Sequence, residues 1–187
     1  SGAASFGTQV TLGGAQFVWS GGIANWTTVT AGAQYVFAGG VADQTVLDGS
    51  RQYLFGGSAN HTTINISSEQ YIWNGGWADN TTMNGGYQYV EKGSSAFHET
   101  INGGQQLLFE QAFASDTVMT GGDQWIYWAG WASKTSVGGS AVPHVRGGHA
   151  ENTAVHGSGE QLIMADGHAP GPSVRPHGQV RVTARGY

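Results

Sequence analysis

The sequence predicts an all-β fold, a right-handed parallel β-helix (β-solenoid) of about ten 18-residue rungs. Three observations carry this. Gln16, Gln34, Gln52, Gln70, Gln88, Gln106 and Gln124 follow one another at intervals of 18 residues. Glycine supplies 32 of the 187 residues and recurs at fixed positions instead of clustering. Around each glutamine, aromatic and aliphatic residues alternate with the period of two that marks a strand.

The glutamine series defines the repeat. It passes through Val142 and resumes at Gln161 and Gln179 after one inserted residue. With the glutamine counted as zero, position +2 is Val18, Val36, Leu54, Ile72, Val90, Leu108 and Ile126. Position +8 holds Ala24, Ala42, Ala78, Ala96, Ala114 and Ala132, which reads as a tight corner. Position +11 holds Thr27, Thr45, Thr63, Thr81, Thr117, Thr135 and Thr153. Position +13 holds Val29, Leu47, Met83, Ile101, Met119, Val137 and Val155. Glycine pairs such as Gly21-Gly22, Gly39-Gly40 and Gly103-Gly104 divide each period into two short strands. The third repeat slips by one residue near Gly56-Gly57-Ser58-Ala59. Frequent glycine and the lack of an i, i+4 pattern disfavour helix. One rung cannot close a core, so like stacks on like at about 4.8 Å per rung, giving a rod of about 48 Å. Right-handedness is the default for parallel crossovers.

Composition narrows the classes of function. Charged residues are 10% of the chain, far below the usual share of roughly 25%. The net charge of −5 weighs against non-specific nucleic-acid binding. No run of 18 apolar residues is present, so no membrane span is expected. There is no cysteine. A solenoid needs no disulfides because each rung covers the next, so this is compatible with export. The chain opens on Ser-Gly without a basic or apolar leader, as expected of a processed or excised fragment.

Facing follows from the column before the glutamine. Arg51, Glu69 and Asp123 stand there, and such charges are expected outside a narrow core. Alternation then turns the glutamines inward, where stacked amides satisfy one another. It turns +1 and +3 outward. Those columns place twelve aromatic rings on one face, the candidate binding residues: Phe17, Trp19, Tyr35, Phe37, Tyr53, Phe55, Tyr71, Trp73, Tyr89, Phe109, Trp125 and Tyr127. Such ladders stabilise a sheet by stacking. A patch this large also reads as a contact face.

Residues 1–140 read as regular repeats, and 141–187 as irregular C-terminal rungs and a cap of the same domain. All four prolines (Pro143, Pro170, Pro172, Pro176) lie in the second part, as do His144, His149, His156, His168, His177, Arg146, Arg175, Arg181 and Arg185. Proline removes ladder donors and blunts an open end. Ser1–Val10 read as an uncapped half-rung. His144, His149 and His156 fall in different columns, so no metal site is expected, and no cofactor. The acids Asp43, Asp48, Asp79, Glu91, Glu99, Glu110 and Asp116 are scattered, so no catalytic residues and no enzymatic activity are expected.

The segment Gly13–Val29, Gly-Gly-Ala-Gln-Phe-Val-Trp-Ser-Gly-Gly-Ile-Ala-Asn-Trp-Thr-Thr-Val, resembles the AIDA-type repeat of self-associating autotransporter adhesins. The resemblance covers residues 13 to about 140 well and 141–179 loosely. It implies a β-helical passenger region at the bacterial cell surface or outside the cell, acting in adhesion, self-association or biofilm formation. It also implies heptose on repeat Ser and Thr. The expected partner is another copy, as a homo-oligomer or filament, or a cell-surface glycan. A carbohydrate-binding module that stacks sugars on the aromatic face is the alternative reading.

Overall fold

The structure, a computed structural model, describes residues 2–183 and contains strands and turns but no helix among them. It is a parallel β-solenoid of about ten turns of roughly 18 residues. Arg185 lies outside the described residues, as does Ser1.

Each turn has three strand segments, not two. Val41–Asp43, Val46–Asp48 and Arg51–Phe55 make up one such turn. We call these the alanine, threonine and glutamine strands after their inward residues. The +8 alanine is therefore the centre of a strand, and the expected corner there is corrected. Alanine strands from Ala4–Phe6 to His149–Glu151 stack into a nine-stranded sheet. Threonine and glutamine strands form an eighteen-stranded sheet. They fuse through the glycine pairs into single strands at Thr82–Val90 and Thr100–Leu108.

The missed corner has a physical cause. It is turned by one residue per rung in the left-handed region: Trp26, Gln44, His61, Asn80, His98, Asp116, Lys134 and Asn152, with φ between 51° and 58°. His, Asn and Asp tolerate that conformation better than most side chains, but Trp26, Gln44 and Lys134 are poor choices for it. The stacked backbone imposes it, with Trp26 N–H donating to Asp43 O and Gln44 N–H to Asn60 O of the next rungs. Some of the glycine corners are sterically strict, while at others, such as Gly13 and Gly49, a Cβ would meet open space. At Gly104 φ is +83°, and a Cβ would stand 2.4 Å from Gly86 O. Gly104→Ala is expected to cost well over 1 kcal/mol, readable as a lower urea midpoint.

Three register expectations are also corrected. Gln124 pairs with Pro143, not Val142, because the extra residue precedes Pro143. Glu160 pairs with Gln179, so Val180, not Gln179, follows Gln161 in the glutamine column. In the slipped third repeat Thr62, not Thr63, enters the core and donates to Gln52 Oε1 at 3.4 Å.

The core has two apolar columns split by a polar spine. One column joins the +2 aliphatics to the alanines. The other joins Val29, Leu47, Ile64, Met83, Ile101, Met119, Val137 and Val155. Between them run the glutamines and threonines, nearly all inaccessible to water. Each buried aliphatic contributes about 1.5–3 kcal/mol, which is how the chain holds together without disulfides.

Candidate contact surface

The inward half of each glutamine strand fixes its outward half. Glutamine Nε2 donates to the Oε1 of the preceding rung along the whole series: Gln34 to Gln16 at 2.7 Å, Gln52 to Gln34 and Gln70 to Gln52 at 2.6 Å, Gln88 to Gln70 at 2.8 Å, and Gln106 to Gln88 and Gln124 to Gln106 at 2.7 Å. Thr27 and Thr45 add hydroxyl donors to Gln16 and Gln34. The ladder starts on Ser5 Oγ, to which Gln16 Nε2 donates at 3.0 Å. Beyond Gln124 the column continues with Pro143, which cannot extend it. A slip of one residue would bury the aromatics and expel the amides, so the ladder sets which face the rings occupy.

All twelve predicted rings project outward from these strands. They form two patches, not one continuous wall. In the first, Phe17, Tyr35, Tyr53, Tyr71 and Tyr89 stack with centroids 5.0, 5.0, 5.1 and 4.6 Å apart. Beside them Trp19, Phe37, Phe55 and Trp73 follow at 4.1, 5.7 and 5.1 Å. These separations track the spacing of neighbouring strands. Leu107 and Glu91 then interrupt both columns. The second patch holds Phe109 over Tyr127 at 5.3 Å, and Trp125 flat against His144 at 3.8 Å. Only the first rings, Phe17 and Trp19, are more than half exposed, at 54% and 61%. The others cover one another's faces and present edges and hydroxyls to water. The outer surface is thus a ribbon of ring edges one rung apart.

Charge on this face is sparse and, apart from Glu91, paired between rungs. Arg51 Nε lies 2.6 Å from Glu69 Oε2 on the next rung, and Lys92 pairs with Glu110 at 3.3 Å. Glu69 holds the Arg51 guanidinium above its ordinary range through that hydrogen bond. Burial, and then the charge of Glu69, pushes the Tyr71 phenol up to about 12. Burial also raises Tyr53 and Tyr89. Tyr53, Tyr71 and Tyr89 therefore stay neutral through neutral and mildly alkaline pH, and their hydroxyls remain donors.

A second aromatic strip, on the alanine strands, was not anticipated. Phe97 meets Phe113 at 5.9 Å, Phe113 meets Trp131 at 6.5 Å, and Trp131 meets His149 at 4.9 Å. Its columns, +7 and +9, were open to reading once +8 was assigned to a strand instead of a corner.

Several of the scattered acids and histidines resolve into cross-rung pairs. Asp43 meets His61 at 3.0 Å, Asp79 meets His98 at 2.7 Å, and Asp116 meets Lys134 at 3.5 Å. His144, His149 and His156 go to separate places, against Asp123, His168 and Ser136. Glu99 is buried instead. It occupies the threonine column with no accessible surface, and Gln88 Nε2 donates to its Oε2 at 3.1 Å. Its Oε1 and the hydroxyls of Thr81 and Thr117 on the flanking rungs lack partners. Burial pushes its pKa up to about 8. A charge-bearing residue in that column contradicts the expectation that charges stay outside, and the core accommodates it by keeping it protonated.

Neither a family model nor a curated protein matches the sequence. Among solved structures, the chain is similar to a hyper-glycosylated fragment of TibA, residues 55–350, whose glycosylation is catalysed by TibC. The TM-score is 0.74 at 28% identity, with 97% of this chain and 75% of that chain covered. The likeness therefore runs through almost every rung described above.

Proposed function

We propose that this chain is part of a bacterial surface protein that mediates adhesion by self-association, and that the aromatic ribbon is the contact face. The observation that carries the reading is the first patch itself, nine rings in two stacked columns held outward by a buried amide ladder. Stacking alone would stabilise the sheet with any ring-sized side chains. Within the nine-ring patch the flanking charges Arg51 and Glu69 neutralise each other, and this is what a surface that meets its own copy requires, because like charges oppose themselves across a symmetric contact. The resemblance of the repeats to AIDA-type adhesins and the likeness to the TibA fragment support the same reading. No pocket lined by paired acids and a base emerges among the described residues, so adhesion is favoured over polysaccharide cleavage. Single contacts of this size are weak, and many copies on facing cells supply the strength through avidity.

The expected behaviour on cells is direct. Bacteria displaying the chain should clump and settle, and Phe37→Glu with Phe55→Glu should abolish settling at unchanged surface display. Settling at the original rate by the variant would remove the ribbon from the contact.

A further inference from the structure

The nine-stranded sheet carries an open slot beside an uncovered tryptophan. Gly75, Gly76, Trp77, Asp79, Ser95, Phe97 and His98 line an open groove of about 460 Å³. In the aromatic ribbon each ring is covered by the ring one rung away. Trp77 is not. Its column neighbours are Ser58 on one side and Ser95 on the other. The indole is 40% exposed, and it makes no ring contact with a described residue. Where a bulky residue fills this column, as at Phe113 and Trp131, the rings contact each other. A serine beside a tryptophan instead leaves a space one rung deep, about 4.8 Å, against the indole.

Polar groups converge on the same space. Asp79 follows Trp77 by two residues on the same face of the strand, and its Oδ1 holds His98 Nδ1 at 2.7 Å. Asp79 Oδ2 and His98 Nε2 make no hydrogen bond to a described residue, leaving an acceptor and a ring nitrogen side by side. The side chains are 28% and 60% exposed. The analogous pairs lack the platform: Asp43 and His61 sit beside Val41 and Ser58. Asp116 and Lys134 sit beside the filled stack of Phe113 and Trp131.

An apolar plate, an empty slot of ring thickness, and two hydrogen-bonding groups at its edge, a carboxylate oxygen and a ring nitrogen, are complementary to one chemistry. We infer that the groove binds a neutral pyranose, its C–H face on Trp77 and two adjacent hydroxyls on Asp79 and His98. The carboxylate disfavours an acidic sugar, and the neighbouring imidazole satisfies the carboxylate well enough to disfavour a simple cation. The site lies on the alanine strands, away from the ribbon, so its failure would leave the self-association reading intact.

The test is saturation-transfer NMR on the whole chain with methyl glucoside, galactoside and mannoside, and with methyl glucuronide as the charged control. At least one neutral glycoside should bind with a Kd on the order of 1 mM. Trp77→Ala and Asp79→Asn should each weaken it at least tenfold, and Trp131→Ala should not change it. Ser95→Phe extends the stack into the slot, so it should block binding while the melting temperature holds. The inference is overturned if no neutral glycoside binds, if the glucuronide binds in preference, or if binding survives Ser95→Phe. Loss of binding in Tyr53→Lys with Tyr71→Lys would also overturn it, by placing the sugar on the ribbon.

Discussion

Replacing Gln106 by leucine is expected to cost about 2–5 kcal/mol of stability. Its amide both donates to Gln88 Oε1 and accepts from Gln124 Nε2, each at 2.7 Å. Leucine fills nearly the same volume but bonds to neither. Two fully buried amide groups then lose their partners, and each such loss costs about 1–3 kcal/mol. Gln105→Leu, one residue earlier and facing outward, is the control and should change stability by less than about 0.5 kcal/mol. Urea midpoints for the two variants, at a common slope, measure the difference. Equal midpoints would mean that the ladder contributes nothing beyond the packing of its methylenes.

The second large effect depends on pH and resides in Glu99. The carboxyl is raised by burial to about 8 in the folded chain, against about 4.3 in an unfolded one. Below the lower value both states are protonated and Glu99 imposes no ionisation penalty. Between the two values the unfolded chain releases the proton and the folded chain keeps it, so stability falls as pH rises. Well above about 8 the loss is complete, on the order of 5 kcal/mol. Glu99→Gln keeps the shape and removes the titration. It is expected to flatten this slope and to raise the melting temperature at pH 8 by several degrees relative to the parent, with little gain at pH 4. A parent whose stability does not fall between pH 5 and pH 8 relative to the variant would show that Glu99 is not held protonated.

Much of this architecture could be read directly because the solenoid writes its period into the chain. Gln16 to Gln124 and the +2 aliphatics are periodic because each must meet its own kind one rung away, and the column test found them. What stayed hidden was set by the backbone instead of by residue type. The left-handed corners at Trp26, Gln44 and Lys134 carry no common side chain, because neighbouring rungs force their conformation. Without that corner, Ala24 and its equivalents looked like a bend, and the strip from Phe97 to Trp131 had no strand to sit on. Thr62, Pro143 and Val180 were misplaced because a one-residue slip leaves composition unchanged and shows only in pairing. Glu99 was invisible for another reason: a protonated acid in a threonine column breaks the rule by which charges are assigned outward. The outward rings were predicted correctly by alternation from Arg51, Glu69 and Asp123. Their division into two patches follows from Leu107 and Glu91, which the same columns already contained.

The central claim is that the ribbon joins copies of this chain. Light scattering on the purified protein across a concentration series tests it most directly, comparing the parent with Tyr53→Lys plus Tyr71→Lys. Two lysines on adjacent rungs place unmatched charge in the middle of the first patch while leaving the glutamine ladder beneath untouched. The account predicts a mass that grows with concentration for the parent and the mass of a single chain for the variant, with the variant still folded by circular dichroism although it melts lower for want of its stacked rings. A parent that stays monomeric at every concentration, or a variant that assembles as the parent does, would contradict it.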